Sequence, residues 1–217
     1  MPKAVLTISS RNYSSWSLRG WLLCRMAGLD FDEKVLGADH ESSRAELLHL
    51  SPSFLVPELT HRGNHVWDVL AIAEYLHETH PKAGLLPSNR AARAHCRSVS
   101  GEMHSGFYNL RSALPMNLKA HYPKFRVFAG ARPDIDRIAE IWRGCLETYG
   151  GPYLFGGLTM ADAIYAPVVT RFRTYDVKLD EACDAYAKTI MNWPLLAEWI
   201  EAAKREPDEV EELDAEF

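Results

Sequence analysis

SSRNYSSWSLRGWLLCRMAGL, running from Ser9 to Leu29, decides the fold of this chain. Just before it, Lys3 to Ile8 (KAVLTI) is rich in β-branched and aliphatic side chains, as a short buried strand should be. A polar loop follows, and Ser14 and Ser15 stand where a helix should begin. From Leu18 the apolar residues Leu18, Leu22 and Met26 recur every four positions, with Trp21 and Leu23 beside them. Gly28 closes the run where a helix end favours a residue tolerant of positive φ. The expected order is strand, polar loop and helix, with two hydroxyls at the helix start. Either Ser14 or Ser15 simply caps the helix, or the helix tip is an anion site. In the second case its bare N–H groups and partial positive charge act with a serine hydroxyl that donates to a bound thiolate.

Outward from that stretch, Asp32 to Leu36 is a plausible second strand, and Glu41 to Leu50 is expected to form a brief helix ended by Ser51-Pro52. Leu55 to Thr60 and His65 to Trp67 read as a hairpin turning at Gly63-Asn64. Asp68 opens a helix to about Thr79, with Leu70, Ala71, Tyr75 and Leu76 expected on one face. Pro81 to Ser88 is a connector, and beyond it no convincing strand pattern occurs. Asn89 to His121 reads as one helix or two, with Pro115 the expected break. Asp134 to Tyr149 is a further helix. Thr159-Met160-Ala161-Asp162 is a variant capping box opening a helix to Arg173, and helices over Asp180 to Met191 and Pro194 to Lys204 complete the set. The tail from Glu206 to Phe217 carries seven acidic residues and little apolar content, so it is expected to be solvated. The fold class is therefore α/β plus all-α: a small α/β domain over 1–80, an all-helical domain over 89–205 and an acidic tail over 206–217.

Composition narrows the function. With 47% hydrophobic and 24% charged residues in 217, the chain is an ordinary globular protein with room for a sizeable core. A net charge of −5 argues against nucleic acid. No apolar run approaches membrane-spanning length, and the first residues lack a signal-peptide core, so a cytoplasmic protein is expected. The four cysteines are widely spaced with no CxxC, which points away from zinc, from a disulfide framework and from dithiol redox chemistry.

Four segments, taken in order, resemble the glutathione S-transferase family: NYSSWSLRGWLL, the Val56-Pro57 pair before a strand, WDVLAIAEYL at Trp67 to Leu76, and LTMADAIYAPVV at Leu158 to Val169. The SSW stretch is most similar to the serine-type, zeta-like branches, where two serines precede a cysteine. The resemblance implies a thioredoxin-like N-terminal domain that binds glutathione, a helical C-terminal domain that helps line an electrophile pocket, and a homodimer without metal. Ser14 would donate to the glutathione sulfur, with Ser15 as substitute. Leu55 and Val56, before an expected cis-Pro57, would present backbone to the cysteinyl part, and Asp68 would help hold the γ-glutamyl ammonium. Tyr13, Trp16, His104 and Tyr108, with Met103, Phe107 and Arg111, either line an electrophile pocket between the domains or, as aromatic and Met residues at helical spacing more often do, belong to the core. Conjugation of the glutathione thiolate to hydrophobic electrophiles, a detoxifying transferase activity, is the implied function. Glutathione-dependent cis–trans isomerisation and non-catalytic scaffolding are the alternatives.

One hydroxyl is energetically sufficient for the thiolate. An ordinary thiol has a pKa near about 8.5, and bringing it to half-ionised at neutral pH takes about 2 kcal/mol. A charge-assisted hydrogen bond contributes about 1.5–3 kcal/mol and a helix tip up to about 1.

Two departures bear on affinity. Val69 stands where the family has a serine that binds the ligand carboxylate, and Phe54-Leu55 stands where a polar or basic residue is usual. Either backbone amides with His40 or Arg11 make up the difference, or glutathione binds weakly and another ligand can enter. Asp162 with Thr159 is expected to be a structural cap, and Arg19 is expected to pair with a nearby carboxylate.

Overall fold

The computed structural model describes residues 4–36 and 56–207. The expected helix over Glu41 to Leu50, His40, Phe54-Leu55 and nearly all of the acidic tail lie outside the described residues.

β1 (Ala4–Ile8) alternates buried and half-buried side chains, placing Ala4, Leu6 and Ile8 in the core. α1 (Ser15–Met26) crosses over to β2 (Phe31–Val35), which pairs parallel to β1 with Ala4 opposite Phe31 and Ile8 opposite Val35. β3 (Glu58–His61) and β4 (Asn64–Trp67) form the hairpin at Gly63-Asn64, and β3 runs antiparallel to β1 with Leu59 opposite Leu6. The sheet order is β2-β1-β3-β4. α2 (Val69–Thr79) packs beside α1 on the sheet. Its buried face is Val69, Ile72, Ala73 and Leu76; of the expected Leu70, Ala71, Tyr75 and Leu76, only Leu76 lies on it. The register is set by Asp68, whose side chain accepts from Leu70 and Ala71 and fixes where the first turn starts.

Among the described residues the remainder is helical: α3 (Arg90–Ser105), α4 (Tyr108–Ala113), α5 (Arg132–Tyr149), α6 (Met160–Thr174), α7 (Glu181–Met191) and α8 (Pro194–Lys204). The helical run after Asn89 breaks at Gly106-Phe107 and ends at Ala113, with Leu114 as C-cap directly before the expected break at Pro115. Phe107 adopts φ 61, and a Cβ on Gly106 would lie 2.7 Å from the Glu102 carbonyl oxygen. α6 is the spine, with every residue except Arg173 buried. At its start Thr159 and Asp162 form the reciprocal capping box, and Asp162 also accepts from Leu154 N–H and Tyr186 O–H. Burial pushes the Asp162 carboxyl up to about 6 against the lowering effect of those bonds. Around Trp142 the rings of Tyr165, Phe172 and Tyr186 close the helical core.

A thioredoxin-like sheet domain followed by a helical domain is thus the architecture, as the sequence suggests. α1 faces both parts: it packs on α2 within the first and on α6 and α8 within the second.

Candidate functional site

Ser14 is the N-cap of α1 in extended backbone, 1% exposed, and its Oγ accepts from the Ser17 N–H at 3.2 Å. The capping role expected of a serine here is therefore real. It does not exclude a second role, because a hydroxyl accepts through a lone pair and donates through its proton. Ser15 is also buried, and its Oγ accepts from the Arg19 guanidinium at 3.4 Å. No acidic residue lies in the first turn of α1, so the positive end of the helix is not offset by its own side chains.

The Val56-Pro57 peptide bond is cis, as the family resemblance implies. Gly20, one turn beyond Trp16, permits the approach: a Cβ there would sit 2.6 Å from Pro57 Cβ and 2.7 Å from Pro57 Cγ. Helix and loop are packed backbone against ring, and only glycine fits between them.

On the next element Asp68 holds φ 74, a strained setting for a non-glycine residue. One carboxylate oxygen accepts from Leu70 and Ala71, and the other meets His104 Nε2 at 3.0 Å from the helical domain. Desolvation pushes this carboxyl up, but the His104 bond and charge and the two backbone donors outweigh it and hold it below the usual range. An ammonium group bound here would share Asp68 with His104. Val69 is 1% exposed and belongs to the hydrophobic core.

Of the residues expected to line the electrophile pocket, Trp16, His104 and Arg111 come together. The Trp16 ring has His104 edge-on at 5.1 Å and the Arg111 and Arg19 guanidinium carbons at 4.7 and 4.8 Å. Met103 is in the core and Phe107 is buried, as is Tyr13, whereas Tyr108 is 69% exposed on the outer side of α4. Arg19 departs from expectation. It donates to the Ile164 carbonyl at 2.7 Å and to Ser15, and no carboxylate is among those partners. Arg11 pairs with Glu33 and lies 4.0 Å from Glu206.

The loop carrying the site is clamped from a distance by residues that sequence reading passed over. Asn12, fully buried, accepts from Leu118 and Lys119 N–H and donates to Asn117 Oδ1 at 3.0 Å. Glu206, expected to be solvated, instead accepts from Ser10 Oγ at 2.6 Å, Arg11 N–H at 2.9 Å and Asn12 N–H at 3.0 Å. The Trp199 indole donates to the Arg11 carbonyl at 3.0 Å. Polar residues in a loop give no local signal of partners so far along the chain.

All four cysteines are buried and reduced. Burial pushes the thiols of Cys96 and Cys183 up to about 12 and of Cys145 to about 11. A sulfur nucleophile at this site has to arrive with a ligand.

The family model of the glutathione S-transferase N-terminal domain matches residues 13–79, and that of the C-terminal domain matches 117–202. The chain belongs to the glutathione S-transferase family. Among curated relatives, a probable maleylacetoacetate isomerase of Caenorhabditis elegans is 28% identical over 186 residues, 82% of each chain. The maleylacetoacetate isomerase of Rattus norvegicus is 27% identical over 181 residues, again 82% of each. A glutathione transferase homolog from Burkholderia gl BGR1 with bound glutathione superposes with TM-score 0.69 at 20% identity, covering 95% of this chain and all of that one. The maleylacetoacetate isomerase of Anaeromyxobacter dehalogenans 2CP-1, with glutathione in its active site, gives 0.65 at 21% identity over 96% and 99%. At those identities the structural likeness speaks for the fold. Among the described residues of this family member, no helix is long and apolar enough to cross a membrane.

Proposed function

We propose that this chain is a cytoplasmic, homodimeric glutathione-dependent enzyme in which Ser14 donates to the glutathione sulfur and keeps it ionised. The observation that supports the proposal is the buried Ser14 hydroxyl at the positive tip of α1, a helix against which the cis Val56-Pro57 loop packs at Gly20. The Val56 backbone would pair with the cysteinyl unit, and Asp68 would take the ammonium in place of, or beside, His104. The connector from Pro81 to Ser88 is taken as the domain boundary. With the thiol already deprotonated, the electrophile needs no general base. In conjugation the thiolate forms a carbon–sulfur bond and a leaving group departs with its electron pair.

A second reading is favoured by the names of the curated relatives, which include several maleylacetoacetate isomerases. There the thiolate adds to an activated double bond, the carbon–carbon bond rotates, and the thiolate leaves again with glutathione unchanged. Both readings share the addition step and the same sulfur site. Calorimetric titration with glutathione is the first test: micromolar affinity supports an enzyme, and absence of binding supports a scaffold that kept the fold. Assays with a halo-aromatic and with an unsaturated dicarboxylate then separate conjugation from isomerisation.

A further inference from the structure

A cavity of about 830 Å³ lies between α4 and the segment 122–128, and among the described residues it shares none with the site around Ser14. On α4 it takes Asn109, Ser112 and Ala113, which by helical spacing lie opposite the buried Leu110 and Arg111. Its other wall interleaves rings and cations: Tyr122, Lys124, Phe125, Arg126 and Phe128. Tyr122 stacks on the buried Tyr175 with ring centroids 5.4 Å apart, and Phe125 meets the same ring edge-on at 4.9 Å. That wall is thus anchored to the helical core. Phe128 is 67% exposed, yet its ring lies over Gly130, where a Cβ would sit 2.5 Å from Phe128 Cε1.

Neither Lys124 nor Arg126 has an ion-pair partner among the described residues, and no acid is among the described residues lining the cavity. Asp176, which accepts from the Lys124 backbone N–H, is held by Lys178 Nζ at 3.0 Å. The apolar part of the lining is flat, with three aromatic rings and only Ala113 and Pro123 as aliphatic surface. Flat π faces at a wet surface gain most from another planar ring, because stacking needs no enclosing aliphatic wall. Two uncompensated cations suit a group with close to two negative charges, and a phosphate monoester carries them at neutral pH. Asn109 and Ser112 offer donors and acceptors to the polar edge of a heterocycle. The volume is within the range usual for small-molecule sites.

We infer that this cavity is a second ligand site that takes a mononucleotide, with the base against the aromatic wall at Phe128 and the phosphate held by Lys124 and Arg126. The site stands apart from the Ser14 chemistry and does not depend on the proposed function. A net charge of −5 on the whole chain disfavours a long polyanion, so the occupant is a single nucleotide and not a strand. Stacking and charge each contribute a separable part of the affinity. The charge part weakens with ionic strength and the stacking part does not.

The test titrates the full-length chain by calorimetry, at low ionic strength, with adenosine monophosphate, adenosine and ribose 5-phosphate. The wild type should bind the nucleotide at least about tenfold more tightly than either fragment, since each fragment lacks one of the two contributions. Phe128→Ala should weaken nucleotide binding about tenfold and leave ribose 5-phosphate unchanged. Lys124→Gln combined with Arg126→Gln should bring the nucleotide down to the affinity of adenosine. All three side chains are exposed, so these variants should keep the wild-type circular dichroism. Absence of nucleotide binding by the wild type overturns the inference, and so does a nucleotide held no more tightly than either fragment. A preference left unchanged in both folded variants puts the binding elsewhere and overturns it too. Saturating glutathione should not alter nucleotide affinity; competition between the two would contradict a second site.

Discussion

Single side chains here carry two duties, and the sequence is most informative about the local one. Ser14 and Asp68 are legible as caps because a hydroxyl or carboxylate before an apolar period has one obvious local partner, the next backbone N–H groups. Asp162 is legible for the same reason, although its depth in the core is not. Its carboxyl is raised to about 6, so the folded chain binds a proton there more tightly than the unfolded one. The stability this contributes is full below about pH 4, the unfolded value, and is lost as pH rises through about 6. Thermal melts of Asp162→Asn should therefore lack the decline in that window that the wild type shows. Asp162→Ala leaves the Thr159 and Leu154 N–H groups without their acceptor. It should cost about 2–4 kcal/mol in urea unfolding.

Elements fit one another at a few tight contacts, and these are where pattern reading ran out. The buried stripe of α1 is plain from its spacing, but Gly20 inside that stripe looks like a weak helix residue. It shows its purpose only once Pro57 is seen 2.6 Å from where its Cβ would be. Gly20→Ala should raise local helix propensity by about 0.8–1 kcal/mol and still destabilise the protein by about 1–3 net, because helix and cis-proline loop must part. On the proposed function, calorimetry should also show weaker glutathione binding in that variant; unaltered affinity would mean that the helix-to-loop spacing does not shape the site. The break between α3 and α4 at Gly106-Phe107 likewise has no signal in the pattern, which marks only the end of α4 before Pro115. Phe107 takes positive φ there, and the Arg111 guanidinium gathers the last carbonyls of α3, a long-range pairing that no local rule anticipates.

Over the whole molecule, the site loop is held by chain from far away. Asn12 bonds residues 117–119, and Glu206 reaches back across 194 positions to Asn12. The acidic composition of the tail pointed to solvation, yet its first residue is a structural anion for three donors of the loop. The two-part architecture was readable because hydrophobic period and turn residues act locally. The clamp was not, because it depends on where the chain end returns. Glu206→Ala should free the loop ahead of Ser14 and weaken glutathione binding by about tenfold, with the helical core intact by circular dichroism. If the buried Ser14 hydroxyl at the α1 tip holds the ligand's sulfur ionised, the ultraviolet thiolate absorbance of bound glutathione reports it. Titrated against pH in wild type and Ser14→Ala, that absorbance should persist below neutral pH in the wild type and shift up by at least about one pH unit in the variant. Coincident titrations, with glutathione bound in both proteins, would contradict the account.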